Sequence, residues 1–483
     1  MTAPRPLVAT TRGPVRGERR ADGTYRFLGI PYAKPPVGDL RFAAPEPPEP
    51  WTEPLDATAY GPTAQRRPFA EVTTIPEPSV PGAGVLNLNV FTPDTVPAEG
   101  LPVLVWIHGG GYVAGSAASP WYDGAAFNRD GVVLVSVGYR LGIEGFLHLE
   151  DAPDNRGVRD WIAALTWVRD NIAAFGGDPG KVTIAGQSAG GGAVLTLLAT
   201  PSAEGLFRGA ISVSGALLRP DGPATARAAA RLFTERTGVP ATAAALRDLS
   251  DDDLLALQDR LAEDGPDRAG LPPMLALAPF ADGDLVPVPA ADALTAGDAG
   301  AAVPLLLGFT ADEFSAVPGP GDAGPPLPVL LGALGLDPAR TGAFAAAYPD
   351  VPEGGLFGQA LTDVMFRAPN LAVADARAAR ERPTWLYQFG WRSPVLGIAA
   401  HCLDLPFAFD LLDAEGVAEA AGDTPPQALA DAVHRAWVAF VRDQDPGADW
   451  PRYAPDTRAT QVWDSESRVE SDPVRQVRDL WLT

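Results

Sequence analysis

The chain has 483 residues, of which 46% are hydrophobic and 20% charged, as in a globular protein with a large core. Its net charge of −23 argues against a nucleic-acid-binding protein, because those proteins carry basic surfaces. It contains no run near the roughly 20 apolar residues of a membrane span and no apolar leader at its start, so no membrane partner is expected. The single cysteine, Cys402, excludes an internal disulfide and fits a reducing compartment, so we expect a cytoplasmic protein, with its oligomeric state left open.

The first predicted elements are short and irregular. Residues 25–30 favour one strand, which nearby prolines then end. Residues 66–84 hold several proline and glycine residues with little periodicity, which predicts a long surface loop. Apolar and polar residues alternate over residues 86–91, which is typical of a strand.

Runs farther along the chain predict a central parallel sheet. Residues 103–107 and 132–137 are nearly continuous apolar runs, as in strands buried on both faces. Apolar residues recur at helical spacing over residues 160–168, and residues 224–264 look largely helical. This alternation predicts an α/β fold, with a mixed, mostly parallel central sheet and helices on both faces. Further strands are predicted at residues 182–185, 209–213, 303–307 and 385–389.

The most informative segment is the predicted strand at residues 182–185, which leads into Gly186-Gln187-Ser188-Ala189-Gly190. A buried helix is predicted over residues 193–198, so the serine lies at a tight turn between a strand and a helix. This is the setting of a nucleophile elbow, in which a Cβ in place of either glycine would strike a neighbouring element. The helix N-terminus behind Ser188 also favours an oxyanion in front of it. A glycine-rich turn whose serine only caps the helix is the alternative, and catalytic partners are needed to exclude it.

A second glycine-rich loop follows the predicted strand at residues 103–107 and has the sequence His108-Gly109-Gly110-Gly111-Tyr112. Its glycines allow backbone N–H groups to converge on an oxyanion. The buried strand before it favours this role over that of a merely flexible loop.

A serine hydroxyl needs a base within hydrogen-bond reach, and the sequence has only four histidines. His434 lies in a predicted amphipathic helix, where a surface or packing role is expected, and no turn presents His148. His108 belongs to the glycine loop. His401 lies in a loop far downstream of Ser188, where catalytic side chains carried on a rigid sheet usually sit, and is therefore predicted to be the base.

The base needs an acid that orients its ring and stabilises its charged form. Asp312 and Glu313 follow the predicted strand at residues 303–307, and the local pattern does not decide between them. Asp282 and Asp284 are weaker candidates because they lie in a predicted turn. An acid from the first pair gives the chain order serine, acid, histidine, which is the order of α/β hydrolases.

With these motifs in place, the chain resembles the type-B carboxylesterase family of α/β hydrolases, which includes bacterial para-nitrobenzyl esterases and the cholinesterases. The resemblance runs almost from end to end and implies Ser188 as the nucleophile, His401 as the base and Glu313 as the acid. Besides the elbow and the glycine loop, the segments that carry it are Phe27-Leu28-Gly29-Ile30-Pro31-Tyr32-Ala33-Lys34-Pro35-Pro36-Val37-Gly38 with Leu40-Arg41-Phe42, Leu88-Asn89-Val90, Tyr139-Arg140-Leu141-Gly142 with Gly145-Phe146-Leu147, Asn171-Ile172-Ala173-Ala174-Phe175-Gly176-Gly177-Asp178-Pro179, and Ser214-Gly215.

The same resemblance implies the groups around the triad. The backbone N–H groups of Gly110, Gly111 and Ala189 are expected to form the oxyanion hole. Ser214 is expected to hydrogen-bond the catalytic glutamate.

The sequence departs from the family at several positions near the site. Gln187 stands where the family usually has a glutamate, so a cationic, choline-like substrate is not expected. Ala83-Gly84-Val85 replaces Glu-Asp-Cys, which removes the cysteine of a loop-closing disulfide and leaves Arg41 without its glutamate partner. Phe314 replaces the glycine after the acid, where a packing role is expected and a narrower pocket is the alternative. Cys402 replaces the small residue after the base and is expected to be buried, with its side chain diverging from that base.

Residues 1–483 are thus predicted to form a single large α/β-hydrolase domain that hydrolyses carboxylic esters of small molecules through an acyl-enzyme intermediate. This mechanism needs no metal or cofactor, and the sequence offers no His/Cys/Asp ligand cluster. Two alternatives stay open: hydrolysis of carbamates or other activated acyl compounds, and a non-catalytic binding protein on the same fold. Pocket shape is expected to depend on residues 66–84 and 315–330, whose conformation the sequence does not predict.

Overall fold

The computed structural model describes residues 5–68, 74–217, 221–263, 276–319 and 325–482. The strands in this part of the chain are β1 (Leu7–Ala9), β2 (Pro14–Arg16), β3 (Glu18–Arg19), β4 (Tyr25–Pro31), β5 (Leu55–Asp56), β6 (Asn87–Thr92), β7 (Leu101–Ile107), β8 (Val133–Val137), β9 (Gly177–Gln187), β10 (Gly209–Val213), β11 (Leu305–Thr310), β12 (Thr384–Phe389), β13 (Ala459–Trp463) and β14 (Arg468–Ser471).

Eleven of the described strands form one large sheet in the order β14-β13-β12-β11-β10-β9-β7-β8-β6-β4-β3. The strands from β13 to β8 in this order run parallel to one another. Antiparallel strands lie outside them, β14 at one edge and β6, β4 and β3 at the other. The prediction of a mixed, mostly parallel sheet is confirmed.

Helices cover the sheet on both faces. Along β7, Val105 and Ile107 pack into one hydrophobic core together with α-helical residues that follow the elbow, whereas Leu104 and Trp106 pack into a second core on the opposite face. No helix of the described residues is both long and apolar enough to cross a membrane. The helices are α1 (Ala125–Arg129), α2 (Gly142–Phe146), α3 (Arg156–Asn171), α4 (Ala189–Leu198), α5 (Pro223–Thr237), α6 (Ala243–Leu246), α7 (Asp251–Ala262), α8 (Ala290–Thr295), α9 (Leu327–Ala333), α10 (Pro338–Ala347), α11 (Leu356–Thr362), α12 (Ala368–Ala378), α13 (Leu405–Ala408), α14 (Val417–Ala421), α15 (Gln427–Asp443) and α16 (Arg475–Trp481).

Two predicted elements differ from the structure at their boundaries. The strand predicted at residues 303–307 begins at Leu305, because Pro304 has no N–H to donate to a ladder, and it continues to Thr310. The helical stretch predicted from residue 224 is divided into α5, α6 and α7, since Gly238, in a left-handed conformation with φ 74°, ends α5 and Pro240 follows. Its last residue, 264, lies outside the described residues.

The two loops whose conformation the sequence left open are described in part. Residues 66–68 and 74–84 form no helix or strand, as predicted for a surface loop, and residues 69–73 lie outside the described residues. Of residues 315–330, numbers 320–324 lie outside the described residues and α9 begins at Leu327.

The carboxyl ends of the parallel strands meet at one edge of the sheet, which is where α/β proteins bind ligands. His108 follows β7, Ser188 follows β9, and Glu313 lies in the turn after β11. The chain also leaves this edge at the end of β12 before it reaches His401. The topology therefore brings the predicted site residues to one place.

Candidate active site

Ser188 lies in the tight turn between β9 and α4, in a strained backbone conformation with φ 57° and ψ −121°. Its backbone N–H donates to the carbonyl of Val213, 2.8 Å away, which anchors the turn to β10. A Cβ on Gly186 would lie 2.4 Å from the carbonyl group of Gly190, and one on Gly190 would lie 2.0 Å from the oxygen of Ile107. Because both distances are far below van der Waals contact, the turn requires glycine at these two positions.

The loop after β7 also depends on glycine. Gly110 and Gly111 have φ values of 110° and 60°, and a Cβ on Gly110 would lie 2.3 Å from the oxygen of Ala114. The Tyr139 hydroxyl donates to the carbonyl of His108 at 2.9 Å, which fixes the start of the loop. Burial lowers the pKa of His108 to about 4, so its ring is neutral near pH 7.

Three backbone N–H groups near Ser188 have no hydrogen-bond acceptor within the described part of the chain: those of Gly110, Gly111 and Ala189. Ala189 begins α4, where N–H groups lack partners inside the helix and the helix dipole is positive. Gly111, Ser188 and Ala189 line one cavity, and Gly110 and Ser188 line a second. The arrangement leaves donors available to an anionic oxygen bound next to the serine.

The imidazole of His401 contacts Glu313 and not Asp312. His401 Nδ1 donates to Glu313 Oε2. The other carboxylate oxygen, Oε1, accepts from the Ser214 hydroxyl at 2.7 Å and from the backbone N–H of Thr310 at 2.8 Å. Glu313 is buried and held at both oxygens, so its orientation toward the ring is well defined.

Asp312 connects the turn that carries Glu313 to the loop that carries His401. Its Oδ2 accepts from the backbone N–H of Ala399 at 2.9 Å, and its own N–H donates to the carbonyl of Ala399 at 3.0 Å. One residue farther, the N–H of His401 donates to the carbonyl of Glu313 at 3.1 Å. The two acids that local pattern left undecided thus have different positions, one on the imidazole and one between the loops.

Gln187 contacts His401 directly, a contact that no sequence pattern predicts. Its Nε2 lies 3.0 Å from Nε2 of His401, although the two residues are 214 positions apart in the chain. When the ring is neutral and Nδ1 donates to Glu313, Nε2 has a lone pair that accepts from the amide. In the described part of the chain, the Ser188 hydroxyl makes no hydrogen bond, so Gln187 occupies the nitrogen that a base would turn toward the serine.

Cys402 differs from its expectation. It is buried, as expected, but it lines the same cavity as His401 and its side chain interacts with the ring, so the two side chains do not diverge. Its backbone φ of 73° turns the chain sharply after the histidine. Burial alone would lower the pKa of His401, but Cys402 and Glu313 outweigh that effect and hold the pKa well above its ordinary value.

Two phenylalanines flank the imidazole. The ring centroid of Phe314 lies 4.9 Å from that of His401, and Phe366 lies 4.7 Å from it. The two phenylalanine rings meet edge to face at 5.0 Å. Phe314 therefore has the expected packing role and, in addition, faces the cavities described next.

Two cavities open beside Ser188. The smaller, about 310 Å³, is mostly apolar, with Val113, Leu277 and Met365 in its wall. The larger, about 520 Å³, is lined by Gln187 and His401 among others. Both volumes refer to the described residues, and both cavities reach the serine.

The remaining candidates lie in other structures. His434 is buried and has a packing role, with Nδ1 2.8 Å from the carbonyl of Ala408. His148 pairs with Asp154, its Nδ1 2.8 Å from Oδ1. Asp282 accepts backbone N–H groups of its own turn, as predicted for residues 282–284.

Arg41, which lacks the family's glutamate before residue 86, pairs with two other carboxylates. Its Nε donates to Glu144 at 2.7 Å and its guanidinium contacts Asp251, also at 2.7 Å. Both acids come from other segments of the chain, which is why the loss of the family's glutamate before residue 86 did not reveal them.

Comparisons with known proteins identify the family of the chain. The model of the carboxylesterase family matches residues 4–319 and 355–480. A para-nitrobenzyl esterase of Bacillus subtilis (strain 168) is 38% identical over 98% of this chain and 97% of its own length. A phenmedipham hydrolase of Pseudarthrobacter oxydans is 34% identical over 98% of both chains.

Solved structures agree as well. A PNB esterase superposes with a TM-score of 0.88 at 36% identity and covers 99% of this chain and 100% of its own. A carboxylesterase of Geobacillus stearothermophilus gives a TM-score of 0.82 at 34% identity, with the same coverage. The predictions of family and of an α/β-hydrolase fold are confirmed: the chain belongs to the carboxylesterase family and is a carboxylic ester hydrolase.

Proposed function

We propose that this esterase acts through a triad of Ser188, His401 and Glu313 and an acyl-enzyme intermediate. The observation that carries the proposal is the hydrogen bond between Glu313 and Nδ1 of His401, a residue that lines the same cavity as Ser188. A serine, a base and an orienting acid are the three parts that nucleophilic acyl transfer needs. One sheet carries all three, which supports the further proposal that residues 1–483 form a single domain.

The reaction begins when the Gln187 amide gives way and His401 Nε2 accepts the proton of Ser188. The serine oxygen attacks the ester carbonyl, and the imidazolium is stabilised by the Glu313 carboxylate. His401 then returns the proton to the alcohol oxygen, so the carbon–oxygen bond breaks and the alcohol leaves. Water repeats the sequence on the acyl-Ser188 and releases the acid.

The oxyanion of the tetrahedral intermediate is bound by the N–H groups of Gly110, Gly111 and Ala189. Their lack of acceptors in the described chain supports this role, because a donor already paired would have to lose a bond. The α4 dipole adds positive potential at Ala189.

Ser214 is a positioning residue. Its hydroxyl occupies one oxygen of Glu313, so the carboxylate keeps the other oxygen for His401. We assign it no contact with substrate.

The two cavities support an orientation of the substrate. The departing alcohol oxygen must reach His401, which lines only the larger cavity, so the alcohol group binds there. The acyl group then extends into the smaller cavity next to Ala189. Charged groups line both cavities: Arg67 and Asp259 the smaller, and Glu77, whose pKa is raised by burial despite the nearby Arg66, the larger.

The deciding experiment is hydrolysis of para-nitrophenyl butanoate by Ser188→Ala. We expect turnover to fall by several orders of magnitude, about 10⁴-fold or more, with circular dichroism and melting temperature retained. An organophosphonate probe should label the natural enzyme at Ser188 and leave the variant unlabelled. Ser202→Ala, at an exposed serine beyond the end of α4, is the matched control and should behave like the natural enzyme. Near-normal turnover in Ser188→Ala would overturn the mechanism.

Carbamates and other activated acyl compounds are the alternative substrates for the same residues. The probe experiment does not separate them from esters, but the second half-reaction does. If the acyl group leaves Ser188 as fast as the alcohol leaves the ester, the enzyme acts as an esterase. If carbamoyl-Ser188 is long-lived and no ester is turned over rapidly, the alternative is favoured.

A further inference from the structure

The two cavities beside the active serine have two lining residues in common within the described chain, Ser188 and Phe314. Every other described residue that lines them belongs to one cavity alone. Ser188 is the reacting residue, so Phe314 is the side chain that forms the wall between the cavities at the point where they meet.

Phe314 is held in this position by two contacts of its ring and one of its backbone. It packs edge to face on Phe366, a lining residue of the smaller cavity, with centroids 5.0 Å apart. It also contacts the ring of His401, a lining residue of the larger cavity, at 4.9 Å. Its backbone N–H donates to the Thr362 hydroxyl at 3.1 Å, which ties the residue to α11. The wall is therefore supported, and a ring displaced by substrate would lose these contacts.

The part of a substrate that meets this wall follows from the reaction. The carbonyl carbon must lie at the Ser188 oxygen, and the acyl and alcohol groups leave it in two directions. The atoms bonded to that carbonyl group are the ones nearest the junction, while the far ends of both groups lie in the open part of each cavity. A side chain at the junction consequently senses branching beside the carbonyl and not chain length.

We propose that Phe314 is a specificity-determining residue that excludes esters branched at the α-carbon of the acyl group. The inference rests on the proposed function, since it requires the acyl carbonyl to bind at Ser188. It assigns the large side chain after Glu313 a task in substrate selection in addition to its packing.

The test compares para-nitrophenyl butanoate with para-nitrophenyl 2,2-dimethylpropanoate, which share a leaving group and differ at the α-carbon. The readout is the ratio of kcat/KM for the branched over the straight ester, because a general loss of activity caused by a looser His401 cancels in the ratio. We expect Phe314→Ala to raise the ratio at least about 10-fold, the range in which a pocket discriminates a methyl or methylene group. Phe314→Leu should raise it less, and Phe314→Tyr, which keeps the ring, should leave it unchanged.

Met365→Ala is the matched control, because Met365 lines the smaller cavity and not the junction. It should change the preference between butanoate and octanoate while the branched-to-straight ratio stays within about twofold of the natural value. A ratio that stays within twofold in both Phe314→Ala and Phe314→Leu, in enzyme that the phosphonate probe still labels, would overturn the inference and leave the proposed function intact. Equal turnover by the natural enzyme and Ser188→Ala would instead overturn the proposed function and the inference with it.

Discussion

The elbow around Ser188 and the contact between Glu313 and His401, called the acid–base pair below, are maintained by different forces. At the elbow, Gly186 and Gly190 permit a turn in which any Cβ would collide with backbone, so the geometry follows from residues adjacent to Ser188. In the acid–base pair, Glu313 and His401 belong to segments far apart in the chain and are joined by hydrogen bonds in a buried setting. The comparison teaches that one half of this site is set by local sterics, and the other half by long-range polar contacts.

The largest loss of activity should come from changing the acid of the acid–base pair. Glu313→Gln keeps the size of the side chain but removes the charge proposed to stabilise the imidazolium, so we expect kcat to fall by about 10⁴-fold, as for loss of the triad aspartate in serine proteases. Steady-state kinetics on para-nitrophenyl butanoate measures it. Asp312→Asn is the matched control: its contacts with Ala399 are between loops, so its loss should be below about tenfold. Equal losses in the two variants would contradict the assignment of the acid.

The next effect breaks the elbow. In Gly190→Ala the new Cβ would lie 2.0 Å from the oxygen of Ile107, so the serine must move, and a displacement near 1 Å costs on the order of 10²-fold in rate. Active-site titration with the phosphonate probe and thermal unfolding measure this change. Gly332→Ala, in α9 with no atom within 4 Å of its Cβ, should unfold at the same or a higher temperature and keep full activity. A fully active Gly190→Ala would show that the turn tolerates a side chain.

A smaller effect should come from the hydrogen bond behind the acid. Ser214→Ala removes the donor to Glu313 Oε1, and the N–H of Thr310 remains there, so we expect about a tenfold loss in kcat, the equivalent of one buried hydrogen bond. KM should not change, because the role proposed for Ser214 involves no contact with substrate. Ser212→Ala removes the hydrogen bond from another buried hydroxyl, on β10 just before Ser214, to the Gly191 carbonyl. It separates a loss of stability from a loss of orientation. A change confined to KM would argue against positioning.

The smallest predicted change is a shift in pH dependence. The base must be neutral to accept a proton, so activity is lost as the pH falls through the pKa of His401, which Cys402 and Glu313 already hold above its ordinary value despite burial. Gln187→Glu places a carboxylate about 3 Å from Nε2, which favours the charged ring, so the midpoint of kcat/KM should move about one unit to higher pH. Gln187→Met, neutral and of similar length, should leave the midpoint in place or lower it. An unshifted midpoint in Gln187→Glu would mean that residue 187 does not face the base.

Much of the fold was predictable because buried parallel strands consist of short runs of apolar residues. The run at residues 209–213 coincides with β10, and the runs at residues 103–107 and 132–137 lie within one or two residues of β7 and β8. The boundaries that differ do so where a proline or a left-handed glycine outweighs the apolar pattern, as at Pro304 and Gly238.

The elbow and the glycine loop were determined by the sequence alone. A positive φ or a close backbone approach leaves glycine as the residue that fits, and glycine is identified directly from the sequence. The family resemblance already implied Glu313 as the acid, and its contact with His401 agrees with that. Tertiary structure decided the contacts that no motif carries: that Gln187 occupies Nε2, that Cys402 faces the ring, and that Phe314 lines two cavities. These are contacts between segments up to 214 residues apart, and their geometry depends on how loops meet at one edge of the sheet. No local pattern encodes such distances, which is why the chemistry could be predicted from the sequence and the choice of substrate could be argued only from the structure.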